Sequence, residues 1–405
     1  MTILSINAGS SSLKFALYGV NQGQLGSALL IGQFEHLEPS TDSSDKKPIS
    51  LKYESQDGQK VKKEISLAPN IDPFDAAIEE LKTLIAVHKG SSAQVGAGLV
   101  AIAHRVVHGG AHFAVSTLVT PDVLSKLKEL NSLAPLHQPH NIAGIEAFQK
   151  CFPAVSQVAC FDTSFHTNLP ALETTFAIPS ELTKSGVRRY GFHGLSYQYV
   201  SDQLSSRCPA SVGRAIFAHL GNGASLCATL NHKSVSTTMG FSALDGLMMG
   251  TRCGEIDAGV LLYLLSQGKS EKEIETLLYK QSGLLGVSGL SADVRTLRQS
   301  KDPKAIFALD LFAYRVTKEM GALSAVLGGL DVICFTGGIG EHDLVLRGEV
   351  CKNLSWLGIE LDEELNKAAT GDAITRINST QSRVQVWVVP TDEGKVAAQQ
   401  ALMLV

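Results

Sequence analysis

Several familiar signatures are missing from this chain of 405 residues, and each absence removes a class of function. There is no excess of basic charge: 35 Lys and Arg face 39 Asp and Glu, a formal net charge of −4. That balance argues against nucleic acid as a partner. Seven cysteines are scattered without a C-x-x-C pair, the usage of reduced thiols in a cytosol. No basic stretch followed by an apolar core stands at the amino end, so secretion is not expected. The most apolar long run, GALSAVLGGLDVICF, is interrupted by Asp331 and is too short to span a bilayer. A cytoplasmic protein with no membrane partner is expected. Neither H-E-x-x-H nor a zinc-like His/Cys spacing occurs, and no G-x-S-x-G nucleophile elbow is found. The Walker spacing is excluded too, because no second glycine precedes Lys14 and a strand period follows it.

What is present is the composition of a folded globular chain, 44% hydrophobic and 18% charged, long enough for two or three domains. TILSINAGSSSLKFALY reads strand, short polar turn, strand, with Leu13, Phe15 and Leu17 alternating against Lys14, Ala16 and Tyr18. ISLKYESQDGQKVKKEISL alternates around Asp57-Gly58, a favoured hairpin turn, so the charge-rich stretch from 38 to 65 reads as strands. Helices begin at Asp72-Pro73, at Thr120-Pro121, at Pro139 and, for a long one reaching towards Leu327, at Asp302-Pro303. VACFD and VQVWVV are apolar runs suited to strands buried in a mixed sheet. Strands and helices alternate along the whole length, which predicts an α/β fold.

The opening pattern returns. IFAHLGNGASLCATL, from Ile216 to Leu230, is again strand, small-residue turn, strand. A third glycine turn in VICFTGGIGEH joins a strand to a helix predicted to continue through Val345 and Val350. Taken singly, each is an ordinary turn. Together they suggest a duplicated domain, with a cleft between the halves whose backbone N–H groups would suit a nucleotide polyphosphate.

Arg105 in AIAHRVVHGG ends an apolar run before a double glycine, and Arg252 in MGTRCGEID lies between glycines, where backbone allows a ligand close approach. The planar guanidinium fork suits carboxylate and phosphate; the plainer reading is an ion pair with a nearby acid. Asp162, and Asp392 with Glu393, end two buried-looking strands, where substrate or Mg²⁺ contacts fall in open α/β sheets. Alternatively Thr391 caps a final helix whose dipole Glu393 favours. His193 in RRYGFHG and His219 before G-N-G lean towards function, His137 is evenly balanced, and His36, His88 and His232 read as ordinary surface or core residues.

NAGSSSLKF, HRVVHGG, FDTSFH, RRYGFHG, HLGNGAS, MGTRCGEID, FTGGIGE and TDEG, in this order, resemble the acetate kinase family across essentially the whole chain. That resemblance implies a duplicated ribonuclease-H-like fold of the actin, sugar kinase and heat-shock chaperone superfamily. Its implied domains are 1–163 plus 393–405 on the acyl side and 164–392 on the nucleotide side. It implies that Asn7 and Glu393, with Asp162 nearby, hold Mg²⁺ (or Mn²⁺) through waters. Arg105, Asp162, His193 and Arg252 would be catalytic, with the arginines on carboxylate and phosphoryl group and His193 donating to phosphoryl oxygens. Val107, Leu136, Phe192 and Ala243 would line the acyl pocket. Ser10, Ser12, Lys14, His219 and the turn Gly221, Asn222 and Gly223 would face the phosphates. Asp293, Arg295 and the segment Gly337, Gly338, Ile339, Gly340 and His342 would take the adenosine. Implied substrates are ATP and acetate, and the implied assembly is a homodimer. The chain departs from the family pattern where His342 replaces a common asparagine and Ala243 a common proline, and slightly in PLHQPHN, GEIDAG and TDEG. One methylene in an acyl pocket is worth only ~1–3 kcal/mol, so propionate is an alternative acid.

Overall fold

The structure is a computed structural model that describes residues 1–38, 47–67, 71–88 and 98–405. Part of the charge-rich stretch, 39–46, lies outside the described residues. The chain divides into two compact units, Met1–Ser164 with Asp392–Val405, and Phe165–Thr391.

The first unit is built on eight strands: β1 (Thr2–Ala8), β2 (Ser12–Asn21), β3 (Gln24–Glu35), β4 (Ile49–Ser55), β5 (Lys60–Ile65), β6 (Leu99–Val106), β7 (Thr117–Leu118) and β8 (Ser156–Phe161). Their order across the sheet is β5-β4-β3-β2-β1-β6-β8-β7. The first five run antiparallel to their neighbours, whereas β6 lies parallel to β1 and β8 parallel to β6. Central β1 is covered on both faces, with Ile3 buried on one and Leu4 and Ile6 on the other. In β2 the expected face, Leu13, Phe15 and Leu17, packs into a core with Phe34, Ile78 and Leu81. Ala16 and Tyr18 on the opposite face are buried as well. The helix Glu393–Leu402 packs against β2, and the Tyr18 hydroxyl donates to Asp392 Oδ1 at 2.9 Å. Lys-rich β5 forms the sheet edge, where charge discourages further strand pairing.

The second unit carries β9 (Ala215–Leu220), β10 (Ala224–Leu230), β11 (Lys233–Thr237), β12 (Val332–Thr336), β13 (Thr375–Arg376) and β14 (Gln385–Val388), ordered β11-β10-β9-β12-β14-β13. Here too a three-strand antiparallel meander is followed by two parallel strands, β12 beside β9 and β14 beside β12. The set β3-β2-β1-β6-β8 thus recurs as β11-β10-β9-β12-β14, in direction as well as order. This is the duplicated ribonuclease-H-like arrangement of the actin-like ATPases.

Helix starts follow local chemistry. Thr120 Oγ1 accepts from Val123 N ahead of Pro121–Glu129, and the Asp302 side chain accepts from Lys304 N ahead of the long helix Pro303–Leu327. Two expectations are corrected. The helix after β12 does not continue through Val345 and Val350: Gly337–His342 ends at Asp343, and a new helix, Leu344–Asn353, begins. Asp343 leaves helical backbone (φ −88°, ψ 88°), and its carboxylate accepts from Val345 N and Leu346 N. Thr391 is not the cap of the last helix. Asp392 is, accepting from Lys395 N at 2.9 Å, while the Thr391 hydroxyl is taken by Ser196 and its N–H by Glu341.

Candidate active site

In the first unit, polar residues gather at the carboxyl ends of β1, β6 and β8. Asn7 lies on β1 opposite Lys14 of β2, and Gly9 N donates to Ser12 O across the turn. Ser10 and Lys14 are exposed, and Asn7 and Ser12 are half-buried. Arg105, near the end of β6, donates from Nε and Nη2 to Asp162, the shortest contact being 2.6 Å, with Glu393 Oε2 at 3.7 Å from Nε. Asp162 is buried while Arg105 keeps a fifth of its side chain exposed, so the carboxylate fixes the guanidinium without hiding it. Burial works to lower the Arg105 pKa, but the charges of Asp162 and Glu393 outweigh it and raise the value. The guanidinium stays charged. Ion pair and ligand site are therefore compatible readings of Arg105.

The first unit also holds Val107 and Leu136, the former buried and the latter half-buried. Asn141 ties the neighbouring strand ends together: its amide donates to Ala8 O and its oxygen accepts from Val107 N. Gln138 spans the His108 backbone in the same way. Neither was marked by the sequence, because both look like ordinary polar residues at a helix start.

In the second unit, the turn between β9 and β10 is the meeting point. A methyl group on Gly223 would stand 3.2 Å from Arg252 Nη2 and 3.3 Å from His193 Nε2. Two side-chain nitrogens thus converge on the Gly221–Gly223 turn. Arg252 is steadied by Ala243, whose carbonyl accepts from Nη1 at 2.6 Å. The Gly250 N–H donates to Asn222 O, holding the arginine loop on the turn. His193 precedes the helix Gly194–Arg207 in left-handed backbone (φ 57°), a strained state for a non-glycine residue. Its ring stacks on His219 with centroids 4.1 Å apart. His193 Nδ1 faces Ser225 Oγ and His219 Nδ1 faces Ser196 Oγ, each at 2.8 Å. Phe192, next in line, is buried.

The second glycine turn packs beside the first. Gly337 has φ 74°, and a Cβ there would meet Leu220 O, the residue before Gly221, at 2.8 Å. Buried Glu341 accepts from Gly337 N at 2.8 Å and Thr391 N at 3.0 Å; burial raises its pKa, and these two N–H groups pull it back. Arg347, fully buried, donates to the carbonyls of Gly340, Glu341, Asn366 and Ala369 and so fixes the end of the turn's helix. His342 Nδ1 lies 2.6 Å from Thr370 O, tying that helix to the loop after the helix Glu363–Ala368. Gly338 is open around its Cβ position, and Ile339 is half-buried. Asp293 and Arg295 pair with each other at an exposed helix start, and Ala292 O lies 3.4 Å from a Cβ at Gly250.

Two units with the same core strand order, each with a turn at the end of its first strand, carry the motifs. The sequence model of the acetokinase family matches residues 2–399. The chain belongs to the acetokinase family. An acetate kinase of Rhodopseudomonas palustris (strain TIE-1) is 47% identical over 408 residues, covering 99% of this chain and 98% of the relative. Among solved structures, the acetate kinase of Porphyromonas gingivalis superposes with a TM-score of 0.86 at 36% identity, covering 100% of this chain and 99% of that one. A propionate kinase from Francisella tularensis subsp. tularensis SCHU S4 gives 0.89 at 37% identity, with 100% of both chains covered. Acetokinase membership accounts for the order of the motifs, whereas Ser225, Glu341 and Arg347 emerge only from the packing around them.

Proposed function

We propose that this chain is an acetate kinase, transferring the γ-phosphoryl group of ATP to acetate by direct in-line attack and, in reverse, making ATP from acetyl phosphate. The observation that carries the reading is the convergence of His193 Nε2 and Arg252 Nη2 on the Gly221–Gly223 turn, in a member of the acetokinase family. Acetate is already a nucleophile at neutral pH, so no general base has to take a proton. The reaction needs alignment and neutralisation of charge on the equatorial phosphoryl oxygens. His193 and Arg252 donate to those oxygens, the Gly221–Gly223 turn and His219 hold the nucleotide phosphates, and Gly337–Gly340 with Asp293 and Arg295 take the adenosine. Arg105 binds the acetate carboxylate, and Asp162 holds Arg105 in place. Ser10, Ser12 and Lys14 are further phosphate contacts in this reading. Val107, Leu136, Phe192 and Ala243 accept the methyl group.

Asn7 and Glu393 fit a magnesium ion brought in on the nucleotide. They offer hard oxygen donors, and Gly394, next to Glu393, lies against Ser5 on the same face of β1 as Asn7. Among the described residues no cluster of three or more His, Cys, Asp or Glu side chains is arranged for a metal. An ion that keeps its waters and phosphate ligands needs none. When bound, Mg²⁺ or Mn²⁺ neutralises charge on the phosphate oxygens. Propionate is the second reading, favoured by Ala243 where the family pattern has proline.

All seven cysteines are free thiols, in keeping with a cytoplasmic setting. No helix among the described residues is long and apolar enough to cross a membrane. A homodimer is supported by the helix Ala258–Ser266, none of whose residues is buried; Leu262 and Tyr263 are 68% and 61% exposed, and Phe307 is 60% exposed.

Acyl phosphate trapped as hydroxamate, with Mg-ATP and acetate, propionate or butyrate, tests the assignment. Acetate turnover is expected to lead, and Arg252→Ala to lower it by roughly 10²–10³-fold. No acyl phosphate from any acid, with ATP still bound, overturns it.

A further inference from the structure

We infer that Tyr197 and Ser225 form a hydroxyl relay that fixes the tautomer of His193, keeping its ring proton on Nε2. A neutral imidazole has one donor and one acceptor nitrogen, and it serves a phosphoryl oxygen only when the nitrogen facing that oxygen carries the proton. His193 Nε2 is the nitrogen at the Gly223 turn beside Arg252; Nδ1 points the other way, onto Ser225 Oγ at 2.8 Å. Ser225 Oγ is also in hydrogen-bond contact with the Tyr197 hydroxyl. The serine has a single hydrogen and two candidate acceptors. A phenol, with a pKa of about 10, is a stronger donor than an aliphatic hydroxyl. The hydrogens therefore order as Tyr197 O–H to Ser225 Oγ, then Ser225 O–H to His193 Nδ1. That leaves the ring's own hydrogen on Nε2.

The surroundings keep this order. Tyr197 and Ser225 are both fully buried, so bulk water does not compete for the hydroxyls. The residues come from two different elements, Tyr197 from the helix Gly194–Arg207 and Ser225 from β10. His193 itself immediately precedes that helix, and its left-handed backbone and the stacked His219 ring limit how it can turn. Tyr197 and Ser225 are positioning residues, since they act on the phosphoryl group only through His193.

The inference rests on His193 as the phosphoryl donor of the proposed mechanism, so its test has a readout independent of turnover. The full-length protein is labelled with ¹⁵N-histidine, and the His193 ring signals are assigned by their loss in His193→Asn. The wild type is expected to show a protonated Nε2 and an unprotonated, hydrogen-bonded Nδ1. Tyr197→Phe and Ser225→Ala are each expected to disturb that pattern. They should lower kcat roughly tenfold, the kinetic equivalent of one buried hydrogen bond, with KM values held within about twofold. Ser225→Thr, which keeps a hydroxyl, should restore both. A proton on Nδ1, or on both nitrogens, in the wild type overturns the relay. So does a Ser225→Ala variant with unchanged ring signals and kcat. Full turnover in His193→Asn would instead sink the donor role of His193, while the ring spectra still decide the tautomer.

Discussion

A missing side chain leaves the room in which His193 and Arg252 approach one turn. A Cβ on Gly223 would stand at 3.2–3.3 Å from the tips of both, tighter than ordinary contact. Gly223→Ala is therefore expected to leave stability within about 1 kcal/mol of wild type, because a small shift, taken mostly by the long Arg252 side chain, relieves the contact. Turnover should fall by roughly tenfold or more as the donors lose alignment. Parallel urea unfolding and hydroxamate assays check this; a variant with full turnover would show that the two donors do not work at this turn. At this scale the sequence singled out groups that sit in an odd place: Arg105 ahead of a double glycine, Arg252 between glycines, Asp162 at a strand end. It was unreadable where a residue matters only through a distant partner. Ser225 looks like any small strand residue until Tyr197 and His193 are brought to it. Arg347 looks like a surface helix arginine until four carbonyls close around it.

Elements were legible wherever the signal was local. Thr120-Pro121 and Asp302-Pro303 start helices because side chain and proline act on the adjoining turn alone. The break at Asp343 was hidden because the apolar spacing runs on through Val345 and Val350. It comes from the carboxylate, which caps a fresh helix and also accepts from Arg298, 45 residues earlier. Thr391 and Asp392 are both good caps, and the choice between them was made by Ser196 and Glu341, which occupy the threonine. The helix Ala258–Ser266 poses the opposite case, an apolar helix with no buried residue. If it meets a second copy, Leu262→Asp should weaken self-association at least about tenfold by placing a charge in an apolar contact. Sedimentation equilibrium reads this directly, and an unchanged assembly would move the interface elsewhere.

Across the whole molecule, the repeated hairpin in the sequence pointed to duplication, and the strand order carries it through both sheets. Each unit also buries a histidine that resists protonation. Burial lowers His104 in the first unit and His166 in the second to about 4, against partial compensation from the Gln157 side chain and the Phe192 carbonyl. In the unfolded chain both take up a proton near pH 6.5, while the folded chain resists until about pH 4. Stability is thus full above the upper value and drains away as pH falls between the two, by up to about 3 kcal/mol for each histidine. Urea midpoints that stay constant from about pH 7 to 5 would refute this. The interleaved division of the chain has a further consequence, for synthesis. Phe165–Thr391 is one uninterrupted stretch, whereas the first unit needs Asp392–Val405 to cover β2. Because a growing polypeptide folds as its segments emerge, the half that is made first stays open at one face until the ribosome has passed the whole of the other. The first unit spends that interval with Ala16 and Tyr18 awaiting their cover, the moment at which a chaperone has most to protect.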